Sequence, residues 1–184
     1  MAAFSDGKPV SPFPENAPAV TLRPYVEADE AATIALWQRT WQLAYPQLDF
    51  AARVDWWRDR WRKELVPGAQ ITIAELNGAL AGFVTVDASG YLDQIVVAPE
   101  AWGSDVAVAL VDAAKRISPT RLDLLVNQDN ARAIRFYQKH GFAIAGLDTN
   151  PRSGAPLYRM SWRPAEAPAN TDQAISNCSR ASRA

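Results

Sequence analysis

The feature that most constrains this chain is a short apolar run joined directly to an amphipathic segment in its last third. Residues 122–126 have the composition of a buried strand, and Asp129 or Asn130 can cap a helix that continues to about Lys139. Gly141 then stops the helix, since glycine readily adopts the left-handed conformation that ends one. The segment predicts a helix that directly follows a strand of the core.

The rest of the chain supplies the other elements of a sheet protein. Apolar spacing predicts helices at about 29–45, 50–65 and 106–117, and strands at about 20–25, 71–76, 80–87, 91–97, 142–147 and 156–162. Asn77-Gly78 is the dipeptide that most favours a two-residue hairpin turn. The order β, α, α, β, β, β, α, β, α, β, β predicts an α/β (mixed α+β) fold: a central mixed sheet of about seven strands with helices on both faces.

Length and composition limit the class of protein. A chain of 184 residues suits one core, and we expect one domain at 19–164 between disordered polar tails at 1–18 and 165–184. With 19 basic and 20 acidic residues the net charge is -1, which disfavours a nucleic-acid partner. The lone Cys178 excludes an intrachain disulfide, and no run has signal-peptide or membrane-spanning character, so we expect a cytoplasmic protein without a membrane partner.

The strand and helix at 124–142 carry a specific motif. The pattern is Asn-x-x-Ala-x-x-Phe-Tyr-x-x-x-Gly-Phe, formed by Asn130, Ala133, Phe136, Tyr137, Gly141 and Phe142. It resembles the general-control N-acetyltransferase (GNAT) superfamily, and residues 91–115, with Val97-x-Pro99-Glu100, a tight loop and an Ala-rich helix, resemble the other half of that family's coenzyme site. The resemblance extends over about residues 21–162.

The resemblance implies acetyl-CoA as co-substrate and no metal. Amides at a helix N-terminus can hold its pyrophosphate, and a backbone N–H near Val97 would polarise the thioester carbonyl where two strands separate to admit pantetheine. The implied coenzyme-binding residues are Ile95, Val96, Val97, Trp102, Gly103, Ser104, Asp105, Val106, Ala107, Asn130 and Tyr137. Asn130 can equally be an ordinary helix cap, and the two roles can coexist.

Asp105 departs from the family's usual loop, Gln/Arg-Gly-x-Gly-x-Gly/Ala, in which glycine takes its place; Trp102 likewise replaces the usual polar residue. A carboxylate about 5 Å from a phosphate charge costs roughly 3 kcal/mol, on the order of a hundredfold in affinity. If the side chain points to water, screening reduces the penalty to about 1 kcal/mol or less. Two hypotheses therefore stay open: a working acetyltransferase, and a non-catalytic binding or regulatory module with a degenerate loop.

Acetyl transfer also needs an acid and a base. By resemblance Tyr137 donates a proton to the departing thiolate, although a helix tyrosine can simply pack against a sheet. Asp93, which simple alternation places on the same face as Ile95 and Val97, is the candidate base; the alternative is a solvated carboxylate. Glu75 and Asp87 are weaker candidates.

The aromatic cluster in the predicted helices has two interpretations. Trp37, Trp41 and Tyr45 lie where the family lines its acceptor pocket, so they are candidate substrate-binding residues for a small-molecule or peptide amine. Alternatively, rings at helical spacing form core. We predict direct acetyl transfer to a primary amine, since no cysteine lies in the domain. A dinucleotide oxidoreductase is excluded because no G-x-G-x-x-G follows a strand, and exposed sheet edges are compatible with a homodimer.

Overall fold

The computed structural model describes residues 19–165. The predicted tails at 1–18 and beyond residue 165, together with Cys178, lie outside the described residues. The chain divides after Ser118 into two compact units, Met1–Ser118 and Pro119–Ala184, and each is described by itself.

The first unit is built on a four-stranded antiparallel sheet in the order β1-β2-β3-β4. Its strands are β1 (Val20–Pro24), β2 (Ala69–Leu76), β3 (Ala79–Asp87) and β4 (Leu92–Val97). Asn77 and Gly78 join β2 to β3 with positive φ angles of 54° and 79°, as a type I′ turn requires. The predicted hairpin is therefore confirmed.

Helices cover both faces of this sheet. They are α1 (Glu30–Ala44), α2 (Val54–Arg60), which continues as a π-helical turn (Trp61–Leu65) and a short α3 (Val66–Gly68), and α4 (Val106–Ile117). Neighbouring residues of β3 show the two faces, because successive side chains point in opposite directions. Phe83 meets Trp61 with ring centroids 5.3 Å apart, whereas the space beside Gly82 is filled by Val106 and Leu110 of α4.

The second unit holds α5 (Ala131–Lys139) and a three-stranded antiparallel sheet in the order β5-β7-β6. The strands are β5 (Leu122–Asn127), β6 (Ala143–Thr149) and β7 (Pro156–Trp162). The Asn130 side chain caps α5 by accepting the N–H of Ala133 at 3.1 Å. Gly141 ends the helix with a φ of 84°, a conformation that favours glycine.

The predicted α/β class, element order and count of seven strands are confirmed. Hydrogen bonding distributes the strands between sheets of four and three, and every pair within each sheet is antiparallel. No helix within residues 19–165 is long and apolar enough to cross a membrane.

Candidate functional site

The outer edge of the four-stranded sheet is formed by β4, and its backbone amides alternate in direction. The Gln94 N–H donates to Thr85 Oγ1 at 3.0 Å, and the Ala98 N–H donates to the Ala81 carbonyl at 2.8 Å, so both point toward β3. By alternation the N–H groups of Ile95 and Val97 point away from β3. These are two of the residues predicted to contact the coenzyme; Val96 between them is buried.

A β-bulge interrupts β4 at Asp93. Thr85 of β3 pairs with Gln94 and Val86 pairs with Leu92, which leaves Asp93 as the extra residue without a partner on β3. A bulge breaks the two-residue periodicity of a strand and redirects the side chain at that position. Simple alternation therefore does not hold here, and Asp93 does not follow the direction of Ile95 and Val97.

The Asp93 carboxylate is bound by Arg60 of α2. Two guanidinium nitrogens donate to its two oxygens at 2.8 and 3.0 Å, and the Gln94 side-chain amide lies 3.3 Å from Oδ2. The side chains of Arg60 and Asp93 are only 23% and 16% exposed. The predicted base is thus mostly buried and already bound in an ion pair. Its carboxylate lies on the α2 side of the sheet.

The two weaker candidates for the base are also engaged. Glu75 accepts from Arg23 Nε at 2.8 Å, and Arg23 in turn forms a bidentate pair with Asp29. Asp87 accepts from the Ser89 hydroxyl and from the backbone N–H groups of Ser89 and Tyr91. Glu75 thus stabilises the end of β1 through Arg23, and Asp87 stabilises the turn between β3 and β4.

The loop after β4 leads into α4 through one glycine with positive φ. Gly103 has a φ of 86°, and a Cβ added there would meet nothing within 4 Å, so its conformation, and not crowding, favours glycine. Trp102 donates from its indole nitrogen to the Val97 carbonyl at 3.0 Å, and the Ser104 hydroxyl donates to the Ala101 carbonyl at 2.6 Å. The loop is thereby bonded to the end of β4.

Asp105 occupies the N-cap position of α4 in ordinary right-handed backbone, with φ -76° and ψ 0°. Asp105 is exposed, and its side chain makes no capping hydrogen bond to the helix. Because any L-residue adopts this conformation, glycine is not required at the position. The Val106 N–H donates to the Ser104 hydroxyl at 3.4 Å. The first N–H groups of α4 have no acceptor within the helix, as at any helix start, and the helix dipole adds positive potential beside them. This end of α4 can hold an anion such as a pyrophosphate.

In the second unit the motif residue Asn130 immediately precedes α5, and Tyr137 lies on that helix. Tyr137 is buried, with 6% of the residue exposed, and its ring centroid lies 5.6 Å from that of Phe136 and 5.4 Å from that of Phe142. The Asn130 side chain is the helix cap, the structural role considered for it from the sequence.

The predicted acceptor-side aromatics separate into core and surface. Trp37 is 4% exposed and stacks on Trp57 at 4.5 Å with a 7° interplanar angle. Trp41 and Tyr45 are half-buried and stack on one another at 5.8 Å. Only the latter two present ring surface that a ligand could contact without displacing the core.

Two arginines form ion pairs near the candidate site that the sequence did not predict. Arg60 contacts Asp93, and Arg39 of α1 forms a bidentate pair with Glu100 at 2.7 and 2.8 Å in the turn before the loop. Each pair joins residues more than thirty positions apart, so only the packing of helices on the sheet brings them together.

Comparisons with known proteins agree on one family. The family model described as the acetyltransferase (GNAT) family matches residues 31–142. Peptidyl-lysine N-acetyltransferase YiaC of Escherichia coli strain K12 is 29% identical over 144 residues, 77% of this chain and 95% of the relative. Peptidyl-lysine N-acetyltransferase YjaB of Salmonella typhimurium is 26% identical over 124 residues, 67% of this chain and 83% of the relative.

Solved structures show the same fold. The solution structure of apo-form YjaB from Escherichia coli has a TM-score of 0.66 at 22% identity, covering 78% of this chain and 97% of that one. The PaiA N-acetyltransferase of Thermoplasma acidophilum, solved in complex with coenzyme A, has a TM-score of 0.62 at 16% identity, covering 79% and 99%.

Proposed function

The chain belongs to the acetyltransferase (GNAT) family, and on that premise we propose that it moves an acetyl group from acetyl-CoA directly to a primary amine of a small molecule or a peptide. The protein is thus an acyltransferase. The observation that carries the proposal is the arrangement around β4: an edge strand whose Ile95 and Val97 amides point outward is followed by a loop that presents the N-terminus of α4.

The residues of the first unit fit a coenzyme of this kind. Gly103, Ser104 and the first amides of α4 would hold the pyrophosphate, and Trp102 would border it with 38% of its surface exposed. When bound, acetyl-CoA would supply the acetyl group as a thioester. The outward N–H of Val97 would donate a hydrogen bond to the carbonyl oxygen of that thioester. Ile95, Val96 and the turn from Asp105 to Ala107 complete the proposed coenzyme contacts.

The exposure of Asp105 favours the working enzyme over the degenerate module. A carboxylate in water is screened, and its right-handed backbone puts no strain on the turn. The alternative of a non-catalytic module requires that carboxylate to block the helix start.

Tyr137 is the proposed proton donor to the leaving thiolate, and Asn130 is a proposed coenzyme contact, both by their match to the family motif. The position suits that role, because a tyrosine hydroxyl can act as a general acid and this residue is only 6% exposed. The only cysteine of the chain is Cys178, so residues 19–165 contain no thiol that could carry an acetyl group. That composition supports direct transfer.

The acceptor is proposed to be an amine presented on a peptide. Two relatives are named peptidyl-lysine N-acetyltransferases, which supports a lysine side chain as the acceptor class. The stacked, half-buried rings of Trp41 and Tyr45 would contact the aliphatic stem or charged end of such a side chain through packing and cation–π attraction.

Two measurements test the proposal. Thermal unfolding with acetyl-CoA at a hundred times its dissociation constant should show about 2.7 kcal/mol of stabilisation, whereas a degenerate loop gives none. Incubation with acetyl-CoA and a lysine-containing peptide library, read by free coenzyme A release and by mass spectrometry, should show acetylated amines. Stabilisation without any acetyl transfer to peptides or small amines would contradict the catalytic proposal and favour the binding module.

A further inference from the structure

The bulge at Asp93 determines which amides of β4 point outward. Adding or removing one unpaired residue reverses the direction of every N–H group beyond it. With Asp93 as the extra residue, Gln94 and Ala98 donate toward β3, and Ile95 and Val97 point to the outer edge. A slip that removed the bulge would turn Gln94 and Val96 outward instead.

Both polar groups of the bulge are fixed, but by different elements. The Gln94 N–H is held by the hydroxyl of Thr85, a fully buried residue of β3. The Asp93 carboxylate is held by Arg60 of α2 through two bonds of 2.8 and 3.0 Å. We call this bidentate contact the Arg60–Asp93 pair. Through this pair the extra residue of the bulge is bonded to helix α2.

The guanidinium of Arg60 is itself held in one orientation. Its Nε donates to Glu64 at 3.1 Å while its two terminal nitrogens donate to Asp93, so all three nitrogens have acceptors. The guanidinium carbon lies 5.5 Å from the centroid of the Trp57 ring, a cation–π distance. Trp57 is 1% exposed and stacks on Trp37, so Arg60 contacts a buried, closely packed part of the core.

The same contacts argue against proton abstraction by Asp93. Each carboxylate oxygen accepts from a guanidinium that stays protonated at any working pH, and Oδ2 also has the Gln94 amide within 3.3 Å. An amine proton would compete with these donors for the same oxygens.

We propose that Arg60 and Asp93 are positioning residues for acetyl transfer: their ion pair holds the β4 bulge, and the bulge aims the Ile95 and Val97 amides at the thioester. The inference rests on the proposed function, since it assigns those amides to the polarisation of the carbonyl. It replaces the base role predicted for Asp93 with a geometric one.

Steady-state kinetics with Arg60→Ala and Asp93→Asn test the proposal. Both variants should lose kcat by a similar factor, on the order of 100-fold, because a misplaced donor acts mainly in the transition state. The KM for acetyl-CoA should change by less than about threefold, and the acidic limb of the pH profile should keep its position in Asp93→Asn. Arg60→Lys, which keeps the charge but loses the bidentate fork, should fall between Arg60→Ala and the wild type.

Arg58→Ala is the matched control. Arg58 also lies on α2, but its ion-pair partner Asp55 is 95% exposed, so kcat should stay within about twofold. An Arg60→Ala variant as active as this control would overturn the proposal. So would loss of the acidic limb in Asp93→Asn alone, which would restore the base role.

A readout independent of catalysis separates this inference from the proposed function. In two-dimensional NMR spectra, Arg60→Gln should shift the backbone amide resonances of residues 94–97 and leave those of β1 unchanged. The reason is that the substitution removes the ion pair between α2 and β4, in which β1 takes no part. Shifted resonances in a protein that transfers no acetyl group would support the pair and refute the enzyme proposal. Unchanged resonances at 94–97 would refute the pair whether or not the wild type is active.

Discussion

Gly82 of β3 lies directly against the carbonyl oxygen of Val96 on β4: a Cβ added to Gly82 would be 2.6 Å from that oxygen and 2.9 Å from Leu110 Cδ1 of α4. The absence of a side chain at this position lets the strand that precedes the loop and the helix that follows it pack on the same residue. Gly82 therefore controls the separation of β4 and α4, the two elements that carry the proposed coenzyme contacts.

Gly82→Ala should destabilise the fold and weaken acetyl-CoA binding. A methyl group 2.6 Å from a backbone oxygen forces β4 or α4 to shift, and overpacking of this kind costs about 1–3 kcal/mol. Urea unfolding measures the stability, and calorimetric titration measures the coenzyme dissociation constant. Gly146→Ala is the control, because an added Cβ there meets nothing within 4 Å. Equal stabilities of the two variants would show that β3 and β4 are not in close contact here.

Trp37→Ala and Trp41→Ala should have different consequences. Trp37 is buried against Trp57, so its removal should cost about 3–5 kcal/mol of unfolding free energy. Trp41 is half-buried, so its removal should cost less stability and instead raise the KM for the acceptor. Denaturant titration and steady-state kinetics distinguish the two effects. A Trp41→Ala variant with an unchanged acceptor KM would remove this ring from the acceptor site.

Asp105→Asn should change acetyl-CoA affinity by no more than about fivefold, because screening limits the effect of an exposed charge to roughly 1 kcal/mol. Asp112→Asn removes the same charge from an exposed position further along α4 and serves as the reference. Calorimetry on both variants gives the comparison. A tightening near a hundredfold, seen only in Asp105→Asn, would place the carboxylate against the pyrophosphate.

Tyr137→Phe should lower kcat by a factor of about 100 or more while leaving the acetyl-CoA dissociation constant nearly unchanged, since only the hydroxyl is lost. The buried ring keeps its contacts with Phe136 and Phe142, so the unfolding midpoint should move little. Kinetics and thermal unfolding on the same preparation check both points. Wild-type turnover in the variant would assign Tyr137 to packing.

Asp29→Asn should reduce stability at neutral pH but not in acid. Hydrogen bonds from Arg23 hold the pKa of the Asp29 carboxyl below its usual value, despite the opposing effect of burial. The ionised carboxylate therefore stabilises the fold above the unfolded-state pKa of about 4, and that contribution is lost as pH falls through the lower folded-state pKa. Urea unfolding should show a deficit of about 1 kcal/mol at pH 7 that shrinks progressively as the pH falls below about 4. Asp55→Asn is the control at pH 7: its carboxylate is 95% exposed, so its removal should change the unfolding free energy little.

Local signals in the sequence were sufficient for the elements of the fold. The Asn77-Gly78 turn, the Asn130 cap and the Gly141 stop each depend on the conformational preference of one or two residues. Helix α4, predicted at 106–117, has those bounds, because its apolar spacing extends over the whole element. The family motif on α5 lies within thirteen consecutive residues, so it too was visible without any tertiary information.

The tertiary structure alone decided what the candidate side chains do. Trp37 and Trp41 share one helical stripe and have the same residue type, yet only Trp37 is covered by Trp57 from the next helix. Asp93 alternates with Ile95 and Val97 in the sequence, but a bulge and an arginine 33 residues away turn it toward α2. Periodicity reports which face a side chain occupies in an ideal element. Partners, bulges and burial depend on contacts between residues far apart in the chain, which no local pattern encodes.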